Sequence, residues 1–214
     1  MTLEGVLEPS CPQCTEPVRE HRAGWECPVH GGQPPLWRPR AATYDAFLDH
    51  LDRSAGFPTL LPWPMGPGWQ VSDFGVVAAP GRPPLATVAC CSGMSDLDGA
   101  VDVLVVSEEP GTGLGARVAR LDRTYPPDVG QEPPIAKVRV GRGAVPLWAV
   151  STSGADGEFD RAVLVGEATG RWLWLVLHPA SAMLLLRDDW ILRDASGAGA
   201  VLVEMTFGGT PPRW

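Results

Sequence analysis

Two short segments of the chain share one form: Cys11-Pro-Gln-Cys14 and, after twelve intervening residues, Cys27-Pro-Val-His30. Two residues between donors let a tight turn present both to one ion. The intervening stretch then returns the chain so that the second pair completes a tetrahedron. Three thiolates and an imidazole suit zinc, which has no redox chemistry of its own. With Cys11, Cys14, Cys27 and His30 filling all four positions, no place is left for water, so the spacing predicts a structural zinc and not a catalytic one. Gly31 follows the second pair, where such a turn calls for left-handed backbone, and Thr15 stands at the equivalent place in the first. His21 is a rival fourth ligand that breaks the repeat. The competing chemistry for the thiols is a redox-active or disulfide pair, chiefly Cys11 with Cys14.

The rest of the chain divides around this head. Residues 1–40 read as a zinc-ribbon-like module, and residues 41–69 as an amphipathic helix plus a connecting segment rich in Pro and Trp. Residues 70–214 read as the main domain. In the connecting region Tyr44, Phe47, Leu48 and Leu51 follow the spacing of one helix face, with Thr43 as N-cap and Gly56 and Pro58 as stops. From Phe57 to Trp69 four prolines forbid regular helix and central strand. Leu60, Leu61, Trp63 and Trp69 are expected to dock this stretch on the main domain.

Beyond Gln70 the pattern is of short strands: 71–79, 85–92, 101–107, 136–140, 145–150, 162–167, 172–177, 190–193 and 201–207. Ala168-Thr-Gly170 turns one hairpin. Helical pieces are expected at 113–121 and 180–186. Many short strands with few crossover helices give an α+β fold: a small N-terminal zinc-ribbon-like module followed by a larger, mostly antiparallel β domain.

Charge narrows the partners. The net charge is −8 with 17 Lys and Arg, and residues 1–40 hold four Arg against five Glu, so the chain lacks the basic footprint of a nucleic-acid binder. The longest apolar stretches, 173–177 and 183–186, fall well short of the ~20 residues needed to cross a bilayer. Met1-Thr-Leu-Glu-Gly5 has neither the cationic start nor the apolar run of a signal peptide. The expectation is a cytoplasmic protein in which thiols stay reduced and serve as ligands.

Other constellations are weaker. Residues 101–120 read as strand, glycine loop and helix, and the N–H groups around Gly111, Gly113 and Gly115 could cradle a phosphorylated ligand, a nucleotide or an acyl phosphate, with Arg117 or Arg120 neutralising it. Glu108 and Glu109 just before the loop oppose that reading, which otherwise reduces to a close-packed turn. Asp96, Asp98 and Asp102 fit a turn better than a cation loop. Cys90-Cys91 lies in an apolar strand with at least one thiol in the core. His178, near Ser181, Asp188 and Asp189, lacks the nucleophile-elbow pattern of a hydrolase. Trp172 and Trp174 share a face and read as core.

The Cys-Pro-x-Cys head, Leu61-Pro-Trp-Pro with Gly68-Trp69, Glu108-Glu-Pro-Gly-x-Gly-Leu-Gly-Ala-Arg117, Pro146-Leu-Trp148 and Val165-Gly-Glu-Ala-x-Gly-Arg-Trp-Leu-Trp174 together resemble a family of actinobacterial proteins of unknown function over nearly the whole chain. The resemblance implies no reaction. The residues themselves point to a zinc-binding, non-enzymatic binding or scaffold protein whose partner is another protein. The alternative is an enzyme or sensor for a small phosphorylated ligand.

Overall fold

In the computed structural model, which describes residues 7–22, 24–122, 126, 129–152, 160–187 and 190–214, the longest strands are also the most apolar ones. The strands in chain order are β1 (Leu7–Ser10), β2 (Arg19–His21), β3 (Gly24–Cys27), β4 (Gly31–Gly32), β5 (Leu36–Pro39), β6 (Leu60–Trp63) and β7 (Gln70–Val77). They continue as β8 (Ala86–Ser95), β9 (Gly99–Glu108), β10 (Ala136–Val140), β11 (Gly143–Ala149), β12 (Ala162–Ala168), β13 (Arg171–His178) and β14 (Trp190–Asp194). Helix α1 is Tyr44–Arg53 and α2 is Leu114–Val118. The fold is α+β. One sheet runs β1-β5-β7-β8-β9-β13-β12-β11-β10-β14-β6, and a small sheet runs β2-β3-β4. Neighbours in the large sheet are antiparallel except β10 and β14, which are parallel.

The middle of the large sheet is covered on both sides. Val103 and Val105 of β9 and Leu175 of β13 face one core, while Leu104, Val106, Trp174 and Val176 face another. Alternate residues point to opposite faces, so near-continuous apolar runs are what a doubly covered strand requires. The far half of the sheet curls round on itself. Val105, Leu175, Leu164, Leu147, Val138, Leu192 and Leu60, one from each successive strand, meet in one inward cluster, and β6 lies against β8 and β9. The result is a barrel-like wrap. A 3-10 turn, Ala180–Arg187, follows β13 and buries Ala182 and Leu186 in that cluster, plugging one end.

The Pro-rich connection becomes β6, at the sheet's edge, where a missing N–H is tolerated. Its docking residues behave as the sequence suggests: Leu60 and Leu61 are buried. The indole of Trp69 takes the space over Gly93, where a Cβ would come within 2.4 Å of the ring. Helix α1 starts at Thr43, whose hydroxyl accepts from the Ala46 N–H, and it buries Ala46, Phe47 and His50.

One expected strand is absent. Residues 201–207 contain a 3-10 turn, Gly199–Glu204, and only Phe207 bridges to Val71. The apolar run is short and enters from Gly199 at φ 57°, a left-handed turn that starts local i→i+3 bonding and not an extended strand. The helix expected at 113–121 is shorter, and the one at 180–186 is 3-10. Asp188 and Asp189 lie outside the described residues, as do Met1–Gly5.

Arg38 of β5 joins the first strands to the rest. Its guanidinium donates to both oxygens of Asp73 on β7 and to the Pro212 carbonyl, and it lies 4.0 Å from the ring of Trp214. Asp73 is 2% exposed and also accepts from Trp214 Nε1 at 2.9 Å. Burial pushes its carboxyl upward, and Arg38 opposes this. Arg38→Ala is expected to cost about 3–5 kcal/mol in urea unfolding, because it leaves a buried carboxylate without its cation. A loss under about 1 kcal/mol, as for an exposed pair, would show that Trp214 and the Phe74 N–H suffice to hold Asp73.

Candidate metal centre

The head has almost no apolar core of its own. Its cluster consists of Cys11, Val18 and Cys27, with Cys14 and Trp25 against them, so the ligands themselves are the centre. The sulfurs of Cys11, Cys14 and Cys27 and a ring nitrogen of His30 all lie within 4.8 Å of one another. Cys14 Sγ is 3.7 Å from Cys27 Sγ, and His30 Nδ1 is 3.5 Å from Cys11 Sγ and 3.7 Å from Cys27 Sγ. A tetrahedral ion with metal–sulfur bonds of about 2.3 Å and metal–nitrogen bonds of about 2.0–2.1 Å needs sulfurs about 3.8 Å apart and sulfur–nitrogen separations of about 3.5 Å. The same distances are far too long for a disulfide, which needs about 2.05 Å. These four residues can hold a metal ion, and among the described residues they are the one such group.

The internal repeat is visible in the backbone. Gln13 N–H donates to Cys11 Sγ at 3.3 Å, and Val29 N–H to Cys27 Sγ at 3.4 Å, the same two-residue offset in both turns. Gly31 takes φ 70°, whereas Thr15 keeps an ordinary φ. Burial pushes the Cys11 thiol up to about 11. For Cys27 burial also acts upward, but N–H groups of His30 and Val29 and the His30 ring outweigh it and bring the thiol down to about 6. An ion entering here displaces the remaining thiol protons. His21 is remote from this set and sits 3.6 Å from Glu26 on the exposed β2–β3 hairpin.

Two residues support the centre from outside the ligand spacing, and of these the sequence offers Arg117 only as a partner for a phosphate. Gln33 donates to Cys11 Sγ at 2.9 Å and accepts from the Gln13 side chain at 3.2 Å, so it orients a ligand from outside the donor set. Arg117, on α2, donates to the Cys11 carbonyl and lies 5.0 Å from the Trp214 ring. The first turn of the head therefore rests on the glycine loop, where Gln13 fills the space beside Gly113.

That loop holds an acidic side chain of the chain's own. Glu108 is 1% exposed; its carboxylate accepts from Gly115 N–H at 3.2 Å and Trp174 Nε1 at 2.8 Å, with the Leu114 and Gly113 N–H groups also turned toward it. Gly111 and Gly113 have φ 91° and 81°. Gly115 is obligatory, since a Cβ there would come within 2.2 Å of the Trp174 ring. A phosphate at Gly111, Gly113 and Gly115 would have to displace this carboxylate. The remaining groups are dispersed. Asp98 closes a turn with Ser95, and Asp102 accepts from Ser92. Cys90 and Cys91 are both buried, with burial pushing the Cys91 thiol up to about 12. His178 stands 3.8 Å from Asp160.

Residues 6–214 match the family of unknown function DUF6758, and the chain belongs to that family. Neither a curated protein nor a solved structure matches it. No helix among the described residues is long and apolar enough to cross a membrane.

Burial pushes the Glu108 carboxyl from 4.5 up to about 7, against the pull of its N–H donors. Between those values the folded chain binds more protons than the unfolded one, so stability falls as pH rises through the window. Wild-type protein should lose stability relative to Glu108→Gln as pH is raised from about 4.5 to about 7, measured by urea midpoints. Parallel profiles would show that the N–H donors keep Glu108 ionised throughout.

Proposed function

We propose that this chain is a zinc protein in which the metal is a folding staple, and that it works as a binding or scaffold protein and not as a catalyst. The observation that carries the reading is the closed donor set. The ligand atoms of Cys11, Cys14, Cys27 and His30 lie within 4.8 Å of one another, as four donors to one tetrahedral ion must, and Gln33 and the Gln13 and Val29 N–H groups donate to the Cys11 and Cys27 sulfurs. Thiolate and imidazole donors favour zinc over harder cations. The zinc-ribbon-like reading of the head draws support from its two matched turns. Arg over Lys, with high Ala, Gly and Trp, supports an actinobacterial source. A cytoplasmic setting, where thiols stay reduced and serve as ligands, fits this donor set.

Protein purified without added metal should contain about one zinc per chain. Chelation should make three thiols reactive, those of Cys11, Cys14 and Cys27, while Cys90 and Cys91 stay buried and silent. Absence of metal from such protein, with those three thiols already free or disulfide-linked, would overturn the zinc reading in favour of redox chemistry at Cys11 and Cys14.

The partner we assign is another protein, contacted through the head and the Pro/Trp segment. Trp63, Met65, Trp69, Leu185 and Trp190 line a groove of about 390 Å³. Aromatic-walled grooves of this kind take extended, proline-rich segments, whose conformation is largely fixed before binding. The phosphorylated-ligand alternative has less support, since Glu108 already takes the N–H groups of Gly113, Leu114 and Gly115. Cross-linked partners should be lost from Trp63→Ala and from metal-stripped protein; capture that is indifferent to both would remove this surface from consideration.

A further inference from the structure

The curled half of the sheet has two unlike ends. One is plugged by the 3-10 turn Ala180–Arg187 that follows β13. The other is ringed by the β12–β13 turn at Thr169, the β10–β11 turn at Gly141–Gly143, the end of β9 at Ser107, the end of β14 and the start of β6. A cavity of about 630 Å³ opens there. Mouths of barrels are common places for small-molecule sites, and this volume falls in their usual range of about 300–1,000 Å³.

The lining is amphipathic in an ordered way. Leu60, Ala168 and Leu192 belong to the inward cluster and form the apolar depth. Ser107 follows Val103 and Val105 on the same inward side of β9, is 4% exposed, and has no hydrogen-bond partner among the described residues.

Charge at the mouth has one sign left over. The Asp194 carboxylate is fully engaged, accepting from Thr59 N–H at 3.0 Å and from the Ser196 N–H and hydroxyl at 3.1 and 2.7 Å. The Arg193 guanidinium is stacked 5.1 Å from the Trp63 ring. Arg142, exposed at the β10–β11 turn, has neither an ion pair nor a hydrogen bond among the described residues. In a chain of net charge −8, an unpaired arginine at the rim of an apolar cavity is a selective feature.

We propose that this mouth binds a small amphipathic carboxylate, its apolar body between Leu60, Ala168 and Leu192 and its head group at Arg142, with the Ser107 hydroxyl free to take a polar substituent. The site is independent of the metal, so failure of the zinc reading leaves it standing. Full-length protein is titrated calorimetrically with decanoate, decanol and decyltrimethylammonium, each below the concentration at which it self-associates. Decanoate should bind about 1.5-fold to fivefold more tightly than decanol, the range of one exposed charge pair, and the cation should bind most weakly. Arg142→Glu, a change confined to an exposed turn, should invert the order of the two ions and leave decanol unchanged. Ala168→Trp, checked for a native unfolding transition, should abolish binding of all three. The proposal is overturned by the absence of saturable decanoate binding, by an ion order that survives Arg142→Glu, or by binding that persists in folded Ala168→Trp.

Discussion

Strands β9 and β13 are covered on both faces, and the one acidic group that this forces indoors organises what surrounds it. Glu108 ends β9 beside Trp172 in the register of β13, with no cation against its carboxylate. A buried carboxylate without a counter-ion must be met by donors. Trp174 supplies one from the neighbouring strand, and the N–H groups opening α2 supply the others, the groups a helix start leaves unpaired. This pins α2 to the sheet at the closest approach backbone allows, which is why Gly115 has no room for a side chain. Arg117, two residues on, then reaches the Cys11 carbonyl. A path of hydrogen bonds and contacts therefore runs from the doubly covered core to the first turn of the metal head. The head also owes its position to β1 and β5, which extend the same sheet and are fixed by Arg38 on Asp73.

Much of this was legible in the sequence, for identifiable reasons. Ligand spacing is a local property, so Cys11, Cys14, Cys27 and His30 could be paired without knowing the fold. Strand periodicity served equally well for β7 to β14, because apolar runs bounded by Gly and Pro have few other uses. It failed at 201–207, where Val201-Leu-Val203 looks like a strand but turns locally after Gly199. The glycine loop was read correctly as strand, turn and helix. Glu108 reads in the sequence as a charge that opposes a phosphate, and the fold adds that its own carboxyl group accepts from the loop's N–H groups. Nothing in a linear pattern shows that a carboxylate points inward until β13 supplies Trp174. The contacts that Gln33, Arg117 and the Arg38–Asp73–Trp214 group make lack a sequence signal for the same reason, since their partners lie far along the chain.

Two kinds of closure coexist in the molecule, and they bear differently on function. The candidate metal centre is closed chemically, since four protein donors face one another and two of the sulfurs are further hydrogen-bonded. The curled sheet is closed only at one end. β6 completes the wrap through side-chain packing and not through backbone bonds to β8 or β9, a consequence of the prolines that keep it an edge strand. At the end where the 3-10 turn inserts, apolar side chains fill the interior. At the other, the strands stop at short turns rich in glycine, and Ser107 and Arg142 line the opening with no bond to another side chain among the described residues. Glu108 is engaged at a helix start and Cys11, Cys14, Cys27 and His30 face one another, whereas the polar groups at this mouth face open space, which is what lets the proposed ligand reach them.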